Sequence, residues 1–429
     1  MTRCMHGAKA AMNTRKEGRS VSVSSQMFRW LLPAGVDSAA RLLLISRGLR
    51  GFCDGFIAVL LPAYLLALGF GKLHVGLISS TTLIGSAVAT IAVGALANRF
   101  EARRMFVFAA ALMTGTGLGF GGLTSLLPIL IVAFVGTLNP SSGDVSMFLP
   151  LEQSRLAEMA VGDARTALFA RYSLIGAVSA ALGSLAAGLP AWLAVHAGMP
   201  ELVAMRTMFL LYAATGIVIG LLYRRLPSSG TRTPGHTAPL GESRGIVTRL
   251  ALLFSADAFA GGLLVNSLMS LWLMQRFELS VGAAGQFFFW AGLLSALSQL
   301  VAPRLAGKIG LLNTMVFTHI PASLCLIAAA FTASLPATLA LLLVRSALSQ
   351  MDVPTRTAYV MAVVTPAERP AAASFTSVPR SLAASLAPSL AGGLIGMGWL
   401  GAPLIACGML KIAYDLSLLF FFRHVKPKE

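Results

Sequence analysis

Four acidic side chains stand where a long apolar sequence has least use for charge: Asp54 in "RGFCDGFIAVLLPAYLLALGFG", Asp144 at the end of "TLNPSSGD", Asp257 in "FSADAFAGG" and Asp352 in "SQMDVPTRT". A charge in hydrocarbon costs roughly 2.5–3.5 kcal/mol on insertion scales, so it persists where it faces a cavity, water or a partner. Asp54 has Arg50 four residues before it, Asp352 has Arg356 four residues after it, and Lys411 precedes Asp415 by four. Each spacing permits an ion pair on one helical face. The same acids can instead serve proton or substrate coupling. Asp257 and Asp144 have no basic residue three or four positions away. They must find partners on other helices, meet water or take up a proton. Asp257 is therefore the leading single candidate. Arg345 is the matching cation, with no acid three or four positions away, suited to an anionic substrate group or a neighbouring carboxylate. Asn139, Asn266 and Gln286 add neutral polar groups for the same passage. "TLNPSSGD" reads as a kink at Pro140 or as cavity lining. Tyr64, Tyr359 and Trp290 read as packing.

The elements that carry these residues follow from composition. Of 429 residues, 56% are hydrophobic and 11% charged, against about 25% charged in soluble domains. The mean hydropathy is +0.78, and the expected fold is an all-α polytopic membrane protein embedded in a lipid bilayer. Hydropathy places twelve transmembrane helices near residues 50–70, 74–97, 105–124, 127–149, 167–190, 204–224, 249–273, 281–303, 311–333, 336–362, 371–397 and 400–422. The formal charge of +17 lies between these apolar runs, which fits membrane topology and argues against a nucleic-acid surface. Lys and Arg gather in one alternate set of loops and at both ends, so both termini are expected in the cytoplasm. No cleavable leader pattern precedes the first span, and Met27 is an alternative start to Met1. Cys4, Cys53, Cys325 and Cys407 have no metal spacing. No Walker, metalloprotease or nucleophile-elbow pattern is present, so neither an enzyme nor a cofactor is expected.

"RRLPSSGTRTPGHTAPLGESRG", from Arg224 to Gly245, is rich in Pro, Gly, Ser and Thr and reads as a flexible linker. The expected organisation is a cytoplasmic tail (1–48), a six-helix bundle (49–224), the linker (225–248), a second six-helix bundle (249–423) and a short tail (424–429). Asp54 and Asp257, Asp144 and Asp352, Arg165 and Arg369, and the segments "GSLAAG" and "PSLAGG" recur in one order in the two halves. That pattern points to a duplicated unit, and two similar bundles can rock about a site held between them.

From about Arg47 onward the sequence resembles the major facilitator superfamily. The resemblance rests on "GALANRFEARR", which is similar to the family's loop Gly-x-Leu-Ala-Asp-Arg-x-Gly-Arg-Arg. Gly94, Leu96, Ala97, Arg99 and Arg103 fit; Asn98 stands for the Asp, and Glu101 and Ala102 for Gly and Arg. "RLAGKIG" echoes the loop in the second half, and "APSLAGG" is similar to the antiporter-associated Gly-Pro-x-x-Gly-Gly. The resemblance implies two six-helix bundles and a gating loop at Gly94, Asn98, Arg99 and Arg103. It also implies secondary active transport of a small organic solute by alternating access. Proton coupling and efflux are options within that reading, and a monomer in a bacterial plasma membrane is the expected setting. The competing class is a non-transporting receptor or sensor on the same fold.

Overall fold

The computed structural model describes residues 36–424 except 38, 97–98, 142–145, 161–162, 228–239 and 366–367. Asp144 and Asn98 thus lie outside the described residues. Those described form helices α1 (Ala40–Ala67), α2 (Lys72–Leu96), α3 (Ala102–Gly122), α4 (Leu126–Val135), α5 (Phe148–Glu158), α6 (Asp163–Ala186), α7 (Leu189–Ala197) and α8 (Glu201–Arg224). The second half continues with α9 (Arg244–Gly262), α10 (Asn266–Phe277), α11 (Val281–Ile309), α12 (Leu311–Phe331), α13 (Leu335–Ser349), α14 (Asp352–Val363), α15 (Arg369–Gly396) and α16 (Ala402–Phe422).

Among the described residues, nine helical stretches are long and apolar enough to cross a membrane. Three of the twelve expected intervals fall outside that set. The fourth holds the short apolar helix α4 and an interruption around Pro140, and ends just as the polar helix α5 begins. The tenth is split at Gln350 and Met351 into α13 and α14. The eleventh is filled by α15, long enough at 28 residues but too polar for the set. The seventh interval, expected as continuous, also breaks, at Leu263–Val265 between α9 and α10. The first helix starts ten residues earlier than hydropathy indicates: Arg41, Arg47 and Arg50 break the apolar run without breaking the helix. Helices interrupted at membrane depth are tolerated where the freed backbone is buried in protein or lines a cavity.

Helix packing repeats between the halves. In the first, α1 packs on α6, α2 on α4 and α3 on α8; in the second, α9 packs on α15, α11 on α13 and α12 on α16. These are corresponding pairs of the expected spans. Across the molecule, α2 crosses α15 and α6 crosses α11. Small residues bring these crossings to backbone contact: a Cβ on Gly76 would collide with the Pro388 carbonyl oxygen and lie 2.9 Å from the Gly392 Cα, and one on Gly285 would collide with the Ser184 carbonyl oxygen.

Candidate functional site

Asp257 finds the partners that its own helix does not offer. Its Oδ1 accepts from the Lys411 ammonium at 2.6 Å, and its Oδ2 accepts from the Arg356 guanidinium at 3.2 Å. Arg356 also donates to Asp352 at 3.0 Å, realising the pair expected from their spacing. His319 of α12 completes the group. Its Nε2 lies 3.3 Å from the Lys411 ammonium, and its Nδ1 lies 3.1 Å from Asp415 Oδ1. Four helices of the second half, α9, α12, α14 and α16, converge here, and every member of the group but Lys411 is under a tenth exposed. Phe254 lies against Arg356, 5.6 Å from ring centroid to guanidinium carbon. Low dielectric strengthens each attraction and makes an unpaired member costly.

The expected Lys411–Asp415 pair does not form: Lys411 goes to Asp257 and Asp415 to His319. Interhelical partners compete with the i,i+4 neighbour and win in a packed core. Sequence reasoning misses His319, because a lone histidine in an apolar span has no motif. Its only signal is its position inside the ninth interval.

The first half has its own buried ion group, with the signs exchanged. Arg50 of α1 is paired with Glu152 of α5, which also accepts from the Tyr172 hydroxyl at 2.5 Å and the Tyr223 hydroxyl at 2.6 Å. Arg50 stacks over Phe148 and Arg47 over Tyr172. Glu152 is fully buried. Hydropathy misses it by ending the fourth interval at 149. Asp54 is buried one turn further along α1. Asn139 is also buried, and its side-chain oxygen accepts from the amide and hydroxyl of Ser141, tying down the chain around Pro140. Asn266 is half-buried at the start of α10, and Gln286 is exposed on α11.

Arg345 is half-buried on α13 and has no hydrogen-bond or ion-pair partner among the described residues. At the loop after α2, Gly94 and Arg99 are exposed, and Glu101 lies 3.9 Å from Arg103 and 3.8 Å from Arg104. Exposed pairs of that length contribute at most about 1 kcal/mol.

The halves are joined by hydrogen bonds toward the end of the helices remote from the termini. Ser79 and Ser267 hydroxyls meet at 3.2 Å, the Ser270 hydroxyl donates to the Val59 carbonyl at 3.1 Å, and the Ser389 amide donates to the Ser80 hydroxyl at 2.9 Å. Pro388, inside α15, directly precedes that amide, and a proline there removes its own ladder bond.

A Major Facilitator Superfamily model matches residues 43–346 and, in a second placement, 250–429. The chain belongs to this superfamily. An uncharacterized membrane protein of Saccharomyces cerevisiae is 24% identical over 425 residues, covering 90% of this chain and 95% of its own. The nucleoside transporter NupG superposes with a TM-score of 0.69 at 15% identity, covering 90% of this chain and 100% of its own. A bacterial homologue of the human lysosomal transporter Spinster, inward-facing and occupied, gives 0.72 at 16% identity, covering 91% and 98%. The human organic anion transporter MFSD10 gives 0.64 at 17%, covering 89% and 98%. At these identities the solved structures show a shared fold. This superfamily member is thus a multi-pass membrane protein with a transporter fold.

Proposed function

We propose that this chain is a secondary active transporter that moves a small organic solute by alternating access, driven by protons. The bundles 49–224 and 249–423 would rock against one another, joined by the linker 225–248. The observation that carries this reading is the buried group of Asp257, Lys411, Arg356, Asp352, His319 and Asp415 beside two broken helices. A core needing only stability is better served by apolar packing, since buried ion pairs contribute little net stability. Ionisable groups inside a membrane bundle are costly and mark transport pathways.

The interrupted fourth, seventh and tenth intervals supply polar backbone near mid-helix, where transporters of this architecture hold their solutes. Arg345, lacking a partner among the described residues, favours a solute with an anionic group. The backbone-close crossings of α2 with α15 and of α6 with α11 support a state sealed at the end remote from the termini. With both termini cytoplasmic in a plasma membrane, that seal faces outward.

The test is flux into proteoliposomes of purified protein under an imposed pH gradient. A tritiated nucleoside and a radiolabelled aromatic carboxylate serve as probes, chosen because similar folds include a nucleoside and an organic anion transporter. Accumulation that follows the gradient and reverses with it is the expected result. Flux indifferent to the gradient would remove proton coupling. Specific binding of both probes without any flux would favour a receptor.

A further inference from the structure

We propose that His319 and Asp415 form the exchangeable proton site, with Asp257 remaining ionised throughout; this rests on the transporter reading above. The argument starts from donors and acceptors. The Lys411 ammonium has only protons to offer, and it faces both Asp257 Oδ1, at 2.6 Å, and His319 Nε2, at 3.3 Å. Nε2 must therefore accept, which leaves the ring proton on Nδ1, donated to Asp415 Oδ1 at 3.1 Å. The imidazole is neutral in this arrangement.

Charge within the group then does not balance. Asp257, Asp352 and Asp415 face Arg356 and Lys411, three carboxylates against two cations. The excess negative charge has a location. Asp257 is held by two cations and Asp352 by one, while Asp415 faces only a neutral ring. Asp415 is fully buried, and its Oδ2 has no hydrogen-bond partner among the described residues. An ionised carboxylate with one unpartnered oxygen is disfavoured when buried, and one added proton removes both the charge and the imbalance.

Among the described residues, the helices packed around the pair carry no carboxylate beyond these three: Tyr414 stands edge-on to His319 at 6.2 Å between ring centroids, Tyr359 lies on α14, Cys407 lies one turn before Lys411 on α16, and Arg345 on α13 and Arg380 on α15 are further cations. Residues 281–303 of α11 carry no titratable side chain. The ring links the acid to the rest of the group. Moving a proton onto Nε2 puts two donors face to face, so Lys411 must withdraw, and Asp257 Oδ1, 4.0 Å from Nε2, is the acceptor that replaces it. With Asp415 holding the first proton, a second proton on the ring would therefore release the Lys411 ammonium, the most exposed member at 12%, toward a solute.

The test needs no substrate. Infrared difference spectra of purified protein in lipid nanodiscs, recorded while pH is stepped, should show a protonated-carboxyl band that is absent from Asp415→Asn and still present in Asp352→Asn. His319→Gln keeps the acid and should shift the band's titration midpoint. A band that survives in Asp415→Asn, or that vanishes only in Asp257→Asn, overturns the assignment. If Asp415→Asn does not fold, an unmoved midpoint in His319→Gln overturns it instead. Transport failure bears on the functional reading alone, because these bands are recorded without any solute.

Discussion

The amide of Ser267 donates to the carbonyl of Pro140 at 3.0 Å. Ser267 opens α10 just beyond the break in the seventh interval, and Pro140 lies within the break of the fourth. The freed backbone groups of two interrupted spans, one from each half, thus satisfy each other across the molecule. Buried backbone groups without such a partner would be costly, and the bond disappears whenever the halves separate at this end. The joint is therefore made of interactions that water can replace, as a reversible seal requires.

That seal can be locked. The Ser389 amide lies 2.9 Å from the Ser80 hydroxyl across α2 and α15. With Cys4, Cys53, Cys325 and Cys407 replaced, Ser80→Cys with Ser389→Cys is expected to cross-link under mild oxidant and to abolish flux until reduced. Gel mobility after cleavage in the linker reports the bond. Efficient cross-linking with flux unimpaired would show that these helices need not part.

Removing one member of the buried ion group should cost more than removing two. Asp257→Asn leaves Lys411 without its carboxylate, and breaking a buried pair in this way costs about 3–5 kcal/mol. Adding Lys411→Met should recover a large part, because the stranded charge goes with it. Thermal unfolding in detergent across the single and double variants measures the coupling. Purely additive losses would contradict the 2.6 Å contact.

The apolar runs and the Asp352–Arg356 pair are legible in the sequence, because each depends on residues near one another in the chain. The start of α1 is not, since hydropathy cannot distinguish a loop arginine from Arg50, neutralised by Glu152, or Arg47, stacked on Tyr172. The same i,i+4 spacing that holds for Arg356 fails for Lys411 and Asp415. Spacing says which partner is within reach; packing decides which partner is taken. His319 and Glu152 enter only through partners on other helices, Asp415 and Tyr223 among them, that lie far away in sequence.

Arg345 and Arg356 should respond differently to the same change. Arg356→Met strands Asp352, leaves Asp257 with Lys411 alone, and is expected to cost about 3–5 kcal/mol. Arg345→Met leaves no carboxylate unpaired among the described residues, so stability should change by no more than about 1 kcal/mol. Flux of the carboxylate probe should nevertheless fall in Arg345→Met and partly return in Arg345→Lys. A large stability loss in Arg345→Met would assign that residue to packing.

A buried carboxylate makes the joint between residues 240–243 and α15 sensitive to pH. Glu368, which precedes α15, is held down to about 2 by the polar surroundings at Ser243, then by the hydrogen bonds it accepts from the Gly241 amide and the Thr365 hydroxyl. The unfolded carboxyl titrates at about 4.3. A folded value below the unfolded one means that the stabilisation is complete above about 4.3 and is lost as pH falls through about 2. Glu368→Gln should therefore loosen the chain around Gly241 at neutral pH and make little difference below about pH 2. Hydrogen exchange at residues 240–243, compared between the variant and the parent chain across that window, measures it. Equal exchange at neutral pH would show that the carboxylate does not hold this segment.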